Sequence, residues 1–485
     1  MFLSIAVLAS VAILPQLNRT MWRDEGASLY SAHLSWGTLW QQSRVVDRAL
    51  LPYYSFLHVW LAISGNIEWA RAPSLVAFGL TVFIVGRFAN RLGGLWCGVS
   101  AALITATSPL MIEAALEARP YALATLLATI SAVALVHWYE SGSTRWFWCF
   151  SLAAILVVAL QIFLVLAPFA VLILAVAIRP QKFAARWRNL LVPLGLLCFS
   201  TLYFAALVAG QNSQIAWIGP ITAGKFSQYI SGPASGGPSL LGEPAYRNIL
   251  FVAMVIVIVL CARVCQRGGL RFPRIELDAL VLSLSWAILP TAVLIAISIF
   301  KPEYQDRYVT ASVPAMAVVI GLVWSRAFQE SRHKVSVDRT ALLGTSLTAL
   351  VLLLITSVAS SREFVENLQE AAQYVALQAG RSGEFALPDH SLTAGIDYYF
   401  RTTHEIVSNW PERANQHYIE GLDLLDGPRT IAHAPANVWL VNDGSVRGTD
   451  EFIALLKRNG YVTVGTKEFA GTDLLEVEHF HRSAT

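Results

Sequence analysis

The feature that most constrains this chain is a series of long apolar runs with few charged residues inside them. An α-helix needs about 17–25 apolar residues to cross about 30 Å of hydrocarbon. Only 14% of the 485 residues are charged, whereas a soluble chain carries about 25%. The sequence therefore predicts an all-α polytopic membrane protein. Eleven spans are predicted near 2–17, 72–86, 95–112, 120–138, 147–160, 162–178, 190–209, 248–264, 278–299, 308–325 and 340–358.

The number of spans depends on the stretch 147–178, which is one apolar run that Gln161 and Pro168 would divide into two short helices. With the N-terminus inside, the predicted cytoplasmic loops hold more Arg and Lys than the longer loops opposite, as the positive-inside rule requires. A ten-span chain would break this alternation. Residues 2–17 also lack the basic start and cleavage site of a signal peptide. We therefore expect the N-terminus in the cytoplasm and the C-terminus outside.

Charge and cysteine content exclude other classes. A net charge of +3 provides no surface that could follow nucleic-acid phosphates, so no nucleic-acid partner is expected. The cysteines lie within or beside apolar runs, without a CxxC motif or a Cys/His cluster, so neither a disulfide framework nor a zinc site is supported. These cysteines are Cys97, Cys149, Cys198, Cys261 and Cys265.

Three segments are predicted to lie outside the bilayer. The loop 18–71 is partly amphipathic and is expected along the membrane interface. The loop 210–247 is rich in Gly, Pro and Ser. The polar tail has strand-like runs (FALPD, VWLVND, YVTVGT, LLEVEHF) around a helical DEFIALLKRNG that ends at Gly460. The sequence thus predicts two domains, a transmembrane domain at 1–359 and a small extracytoplasmic α/β domain at 360–485.

The unusual ionisable residues gather at one predicted face of the membrane, in MWRDEG, IEAALEARPYAL and KPEYQDRYVTASVP. Ionisable groups at membrane ends are functional candidates. Structural interpretations stay open for each. Asp24 and Glu25 fit a solvated helix end, and Arg119 fits a side chain reaching the headgroups. The tyrosines fit an interfacial belt, Arg307 fits an ion pair with Asp306, and His58 fits a packed histidine.

The order of these motifs resembles a known family. WRDEG, DRALLPYYSFLHVW, EWARAPS, EARPYAL, QIAWIGP and QDRYVTASVP follow one another as in the bacterial GT-C membrane glycosyltransferases. More narrowly, they resemble the family 39-like (PMT-type) branch with actinobacterial members, described as mannosyltransferases. The resemblance covers about residues 1–330. It implies a GT-C fold in the plasma membrane, with the active site on the extracytoplasmic face.

The resemblance also implies a reaction. Such enzymes transfer a sugar from a polyprenyl-phosphate carrier to an acceptor hydroxyl and invert the anomeric centre. A carboxylate must accept the proton, and cations must stabilise the lipid phosphate. The implied catalytic residues are Asp24 and Glu25. The implied donor-phosphate ligands are Arg119, Arg307, Tyr121, Tyr304, Lys301 and Lys225. The implied acceptor or sugar contacts are Asp47, Tyr53, Tyr54, His58 and Glu117.

The chain departs from the family at one point. Relatives carry a histidine before the paired tyrosines, where this chain reads Asp47-Arg48-Ala49-Leu50-Leu51-Pro52. A metal or acceptor contact made by that histidine would be absent or made differently. We therefore expect no obligatory metal or other cofactor. A divalent cation bound weakly by Asp24 and Glu25 is the alternative.

Two other functions remain open at this stage. A lipid-linked sugar flippase or transporter would place polar groups near the bilayer midplane on related repeats, which this sequence does not show. A non-catalytic protein that binds polyprenyl phosphate is the third hypothesis. Within the enzyme hypothesis, mannose and arabinofuranose are the expected sugars, and the acceptor is an envelope glycan, glycolipid or protein.

Overall fold

The computed structural model describes residues 1–209, 218, 220, 222, 274–334, 367–379, 385–387, 390–403, 418–420, 436–442, 449–470 and 474–482. The predicted spans 248–264 and 340–358, most of the loop 210–247 and Lys225 lie outside these residues. The chain divides into two compact units. The first unit contains Met1–Leu17, Trp40–Tyr53 and Arg71–Ser361, and the second contains Asn18–Leu39, Tyr54–Ala70 and Arg362–Thr485.

The described residues form seventeen α-helices. The N-terminal ones are α1 (Phe2–Ile13), α2 (Arg23–His33), α3 (Trp36–Val45), α4 (Leu51–Leu61), α5 (Ile67–Gly93), α6 (Leu95–Ala106), α7 (Pro109–Ala115) and α8 (Tyr121–Ser141). The others are α9 (Thr144–Leu160), α10 (Leu166–Ile178), α11 (Pro180–Ala184), α12 (Trp187–Ala209), α13 (Arg274–Phe300), α14 (Ser312–Lys334), α15 (Leu368–Ala379), α16 (His390–Thr403) and α17 (Thr449–Arg458).

Five of these helices are long and apolar enough to cross a membrane: Ile67–Gly93, Tyr121–Ser141, Trp187–Leu207, Leu277–Phe300 and Ser312–Gln329. Within the described part of the chain the number rises to seven if each of two bent helix pairs forms one span. The pairs are Phe2–Asn18 with Arg23–His33, and Leu95–Ala106 with Pro109–Ala115. The chain is therefore a multi-pass membrane protein, while the number of eleven spans stays a prediction.

The break predicted at Gln161 is confirmed. Helix α9 ends at Leu160, Gln161 has an extended backbone, and a 3-10 turn over Ile162–Val165 leads into α10. The two helices α9 and α10 are shorter than the five long spans. A polar glutamine inside an apolar run thus coincides with the end of helical hydrogen bonding.

The first unit is held together by close helix packing. Helix α8 packs on α9, α6 packs on α14, and α13 packs on α10 and α14. Small residues permit this approach, because a Cβ at Gly321 of α14 would lie 2.8 Å from the carbonyl oxygen of Cys97 on α6. Close backbone approach through small residues is typical of helices in membranes. Helix α12 instead leaves much of its apolar surface uncovered, as a lipid-facing helix does.

The second unit is built on a five-stranded sheet in the order β2-β1-β3-β5-β4. The strands are β1 (Phe385–Leu387), β2 (Tyr418–Glu420), β3 (Asn437–Asn442), β4 (Tyr461–Phe469) and β5 (Leu475–Arg482). Strand β1 runs parallel to β2 and β3, whereas β5 runs antiparallel to β3 and β4. The four predicted strands and the helix α17 before Gly460 (φ +83°) are confirmed. Strand β2 was not predicted.

Candidate active site

The acidic pair begins helix α2 in the second unit. Trp22 has an extended backbone, and the helix begins at Arg23, so Asp24 and Glu25 fall in its first turn. Acidic residues are favoured there because the helix dipole places partial positive charge at the N-terminus. Glu25 is fully buried, whereas Asp24 is half-buried. Of the two carboxylates, Asp24 is therefore the more accessible to a substrate.

Residues from the C-terminal part of the chain hold this turn in place. The Tyr399 hydroxyl lies 2.6 Å from the backbone nitrogen of Met21, which donates a hydrogen bond to it. The backbone nitrogen of Gln369 donates to Oγ1 of Thr20 at 3.2 Å. Two residues just before Asp24, Thr20 and Met21, are thus hydrogen-bonded to helices α15 and α16. No signal in the sequence indicates them, because the partners lie more than 300 positions apart.

Helices α2 and α16 also touch along their backbones. A Cβ added at Gly26 would lie 2.8 Å from the backbone nitrogen of Gly395, closer than real Cβ contacts allow. Gly26 follows Glu25 directly, so this contact sets the position of the acidic turn on α16. Asp397, two residues beyond Gly395, is 1% exposed. Asp397 is therefore a further candidate residue of this site, and the sequence analysis did not predict it.

Two arginines and two tyrosines form a cluster in the first unit, which we call the Tyr121 cluster (Arg119, Tyr121, Arg307 and Tyr308). The Cζ atoms of Arg119 and Arg307 each lie 5.9 Å from the centre of the Tyr121 ring. Arg307 Cζ is equally close to the Tyr308 ring. Arg119 is 7% exposed, and the Nε atom of each arginine is buried. Cations over aromatic faces in a partly desolvated site interact strongly with both rings and anions.

Neighbouring hydroxyl groups position the backbone of this cluster. Ser74 donates to the carbonyl oxygen of Arg119 at 3.4 Å. Thr125 of α8 donates to Thr310 at 3.0 Å, and Thr310 in turn donates to the carbonyl oxygen of Arg307 at 3.2 Å. Hydroxyl groups thus contact the backbone carbonyl of each arginine, although the two arginines lie 188 positions apart in sequence.

Phe163 packs against the cluster, and Arg71 lies on the same helix as Ser74. The Phe163 ring stacks on Tyr308 at 4.7 Å between centroids. Arg71 is completely buried, and its Nη1 donates to the carbonyl oxygen of Leu17 at 2.7 Å. Arg71 and Ser74 both belong to the RAPS motif. Both side chains donate hydrogen bonds to backbone carbonyl groups next to other helices, those of Leu17 and Arg119. The sequence alone did not indicate this structural role for the motif.

The other predicted phosphate ligands that the structure describes, Tyr304 and Lys301, differ in burial and in their contacts. Tyr304 is buried in the same apolar cluster as Tyr121 and Tyr308. The Lys301 side chain is 47% exposed, and its Nζ forms a salt bridge with Oε1 of Glu303. Glu117 is 3% exposed in the turn between α7 and α8. The structure therefore groups Tyr304 with the Tyr121 cluster, whereas Lys301 is engaged with a carboxylate.

The predicted acceptor contacts lie around α4. Asp47 has φ 53°, the one positive φ among the described residues other than glycine, and it precedes a short 3-10 turn. Aspartate tolerates this left-handed conformation better than most residues do. Tyr53 and Tyr54 are buried. His58 is hydrogen-bonded through Nδ1 to the carbonyl oxygen of Ala32 at 2.8 Å and packs on Trp36, contacts that agree with a packed histidine.

The described part of the chain contains no preformed metal site. No group of three or more His, Cys, Asp or Glu side chains converges there. The acidic pair offers two carboxylates, of which Glu25 is buried. A weak divalent site at this pair stays an alternative, as the sequence left it.

Comparison with known proteins identifies the fold. No protein-family model and no curated protein matches this chain. The crystal structure of ArnT from Cupriavidus metallidurans in the apo state matches with a TM-score of 0.58 at 12% identity, over 98% of this chain and 97% of that chain. The same ArnT bound to undecaprenyl phosphate matches with a TM-score of 0.54 at 12% identity, over the same shares of both chains.

A second enzyme has a similar fold. The Archaeoglobus fulgidus oligosaccharyltransferase in its apo form matches with a TM-score of 0.52 at 12% identity, over 98% of this chain and 74% of that chain. These similarities show that the chain has the GT-C fold of membrane glycosyltransferases. The resemblance read from the motifs is confirmed at this level. The narrower family 39-like branch stays a prediction.

Proposed function

We propose that this protein is an inverting glycosyltransferase that takes its sugar from a polyprenyl-phosphate donor. The observation that carries the proposal is the Tyr121 cluster, in which the guanidinium groups of buried Arg119 and half-buried Arg307 share one tyrosine ring. Guanidinium groups bind phosphate oxygens in a bidentate manner. ArnT, which has the same fold, has been solved with undecaprenyl phosphate bound. A lipid phosphate is thus the ligand that the chemistry of this cluster favours.

The proposed reaction is a single displacement. The acceptor hydroxyl oxygen attacks the anomeric carbon, and the bond between that carbon and the phosphate oxygen breaks. The electron pair leaves with the polyprenyl phosphate, where Arg119 and Arg307 would stabilise the negative charge. The acceptor proton passes to Asp24. One displacement inverts the anomeric centre.

Asp24 suits the role of general base better than Glu25 does. Its side chain is half-buried at the first turn of α2, where an acceptor hydroxyl could reach the carboxylate that a general base requires. Glu25 is buried beneath the same turn and would support its neighbour. The proposed donor-phosphate ligands are Arg119, Arg307, Tyr121 and Tyr304, with Lys301 and Lys225 as secondary ligands. The proposed acceptor or sugar contacts are Asp47, Tyr53, Tyr54, His58 and Glu117.

The finer features of the proposal come from the motif resemblance. The sugar is mannose or arabinofuranose, and the acceptor is an envelope glycan, glycolipid or protein. Catalysis takes place on the extracytoplasmic face of the bacterial plasma membrane. The Archaeoglobus oligosaccharyltransferase has been solved with dolichol phosphate and an inhibitory peptide, which supports a lipid-linked donor and an acceptor for this chain as well.

The test is sugar transfer by the purified full-length protein. Radiolabelled polyprenyl-phosphate mannose, arabinofuranose, glucose and galactosamine are offered with a mixed envelope-lipid acceptor pool. We expect transfer from one donor, reduced about 10²- to 10⁴-fold in Asp24→Asn, because the amide keeps the shape and removes the base. Glu68→Gln is the matched control, since Glu68 is an exposed acid in the first turn of α5.

The possible outcomes separate the hypotheses. Equal loss in Asp24→Asn and Glu68→Gln, or near-normal turnover in Asp24→Asn, would remove Asp24 as the base. Polyprenyl phosphate binding without transfer from any donor or acceptor would favour a flippase or a non-catalytic carrier-binding protein.

A further inference from the structure

A second group of cations lies at the opposite end of α8. Tyr139 follows Tyr121 by about five helical turns, or about 27 Å, so it lies at the other membrane end of the same helix. Arg179 and Lys182 both place their charged groups over the Tyr139 ring, at 5.1 Å and 4.9 Å from its centre. The Lys182 Nζ also donates to the carbonyl oxygen of Tyr139. We call these residues, together with Arg186, the Tyr139 cluster.

Arg186 joins the cluster through the turn that ends α8. Gly142 has φ +68°, and its position is so close to the Arg186 guanidinium that an added Cβ would lie 2.4 Å from an Nη atom. Three cations therefore surround the last turn of one helix. The carbonyl groups at a helix C-terminus attract such cations.

Acidic residues balance only part of this charge. Asp278 forms a salt bridge with Arg179 and accepts a hydrogen bond from the Tyr139 hydroxyl at 3.3 Å. Glu140 forms a salt bridge with Arg91. Among the side chains that the structure describes here, four cations, the three of the Tyr139 cluster and Arg91, lie with these two acids. The group thus carries an excess of positive charge.

The pKa of Lys182 reflects both its burial and its cationic neighbours. Burial, followed by the positive charges of Arg179 and Arg186, lowers the pKa of Lys182, and Asp278 and Glu140 only partly oppose this. An anion placed among the three cations would relieve that repulsion. Phosphate is the anion best suited to a lysine and two arginines that share one site.

The surface next to the cluster suits a lipid. Helix α12 begins just after Arg186, and its first turns expose Trp187, Leu191 and Val192 at 54%, 54% and 60%. An apolar face beside a basic group at a membrane end is the arrangement that acidic lipid headgroups recognise.

We propose that the Tyr139 cluster is an anion site that binds a phosphate group, either of an acidic phospholipid or of free phosphate. The site lies at the other end of α8 from the proposed donor site. It would therefore bind its anion whether or not the chain transfers sugar.

The test measures binding to the purified full-length protein in a neutral detergent by native mass spectrometry. The probes are phosphatidylglycerol, phosphatidylcholine and inorganic phosphate. We expect phosphatidylglycerol to bind more tightly than phosphatidylcholine, and the double variant Lys182→Gln/Arg186→Gln to weaken this binding about tenfold or more. Arg145→Gln is the matched control, because Arg145 is an exposed cation in the first turn of α9 that contacts Trp146.

Two further measurements separate loss of the anion site from loss of folding and identify the source of the phosphate group. Lys182→Arg retains the charge and should retain binding, which separates loss of the anion site from loss of folding. Competition by millimolar inorganic phosphate would identify free phosphate as the ligand, and its absence would identify the lipid headgroup. Equal affinity for phosphatidylglycerol in the double variant and in Arg145→Gln, or no preference over phosphatidylcholine with no phosphate binding, would overturn the proposal.

Discussion

The acidic turn and the Tyr121 cluster are built in different ways. The turn around Asp24 is held by a hydrogen bond from the backbone nitrogen of Met21 to the Tyr399 hydroxyl and by one from the backbone nitrogen of Gln369 to the Thr20 hydroxyl. The contact between Gly26 and Gly395 also holds it. The Tyr121 cluster is held by side chains at the ends of membrane helices, through Ser74, Thr125 and Thr310. The acid thus depends on the C-terminal elements of the chain, whereas the arginines depend on the helix bundle. Mutations in the two regions should therefore have separable effects.

After the loss of turnover expected in Asp24→Asn, the largest effect is expected from the arginines. Arg307→Gln and Arg119→Gln should each lower kcat/KM for the donor by about 10²-fold or more, because a charge-assisted contact to the leaving phosphate is lost. Donor affinity should also fall in both arginine variants, whereas Asp24→Asn should leave donor affinity nearly unchanged. Steady-state kinetics and donor binding on the same preparations provide the comparison.

Arg87→Gln is the control for these variants, since Arg87 is an exposed cation on α5. Unchanged donor affinity in Arg119→Gln or Arg307→Gln would assign that arginine a structural role.

The next effect concerns the backbone contact between α2 and α16. Gly26→Ala should destabilise the second unit by about 1–3 kcal/mol, because the new Cβ meets backbone atoms that cannot rotate away. It should also lower turnover by moving Asp24. Gly37→Ala is the matched control, since a Cβ at Gly37 meets nothing within 4 Å and alanine favours a helix by about 1 kcal/mol over glycine.

Thermal unfolding in detergent and hydrogen exchange of α2 would measure the difference between the two variants. Equal stability of Gly26→Ala and Gly37→Ala would show that the close contact is not a constraint on the acidic turn.

Removing single hydroxyl groups sharpens the comparison further. Tyr399→Phe deletes the acceptor for the backbone nitrogen of Met21 and should cost about 1 kcal/mol, with a decrease in kcat and little change in donor affinity. Thr125→Val deletes the bond to Thr310 next to Arg307 and should instead weaken donor binding. Tyr203→Phe, on the exposed face of α12, controls for loss of a tyrosine hydroxyl. The same kinetic signature in Tyr399→Phe and Thr125→Val would contradict the separation of the two regions.

The smallest effect is a pH dependence in the sheet of the second unit. Nε2 of His479 lies 3.0 Å from Oδ1 of Asn437, and its ring stacks on Trp439 with 4.7 Å between the ring centroids. Burial, followed by the positive charge of His481, lowers the pKa of His479 below 6.5. The unfolded chain therefore binds more protons than the native one just below pH 6.5, and the free energy of unfolding decreases as the pH falls.

His479→Gln should flatten this acid sensitivity by less than about 1 kcal/mol, because solvent screens a partly exposed group. Glu478 acts in the opposite direction, since burial and Glu476 raise its pKa, so Glu478→Gln should steepen the acid sensitivity. Hydrogen exchange of β3 and β5 amides at pH 7 and pH 5.5 tests both variants. An identical pH response in wild type and His479→Gln would exclude His479 as its source.

The sequence alone determined the features that depend on local pattern. Apolar runs with few charges predicted a multi-pass membrane protein, and Gln161 marked the end of α9, because hydropathy and helix length are local properties. Alternating apolar residues predicted β3, β4 and β5, and Gly460 marked the end of α17 for the same reason. Strand β2, which pairs with β1 over three residues, was not predicted, because that pairing is a tertiary contact.

Only the tertiary structure decided how each of the two regions is assembled. It brought Arg119 and Arg307 to the same tyrosine ring, and it placed Tyr399 and Gly395 against the acidic turn. It also buried Arg71, which the sequence assigned to a loop, against the carbonyl oxygen of Leu17. These contacts join residues far apart in the chain, and their geometry follows from how helices pack rather than from any local preference.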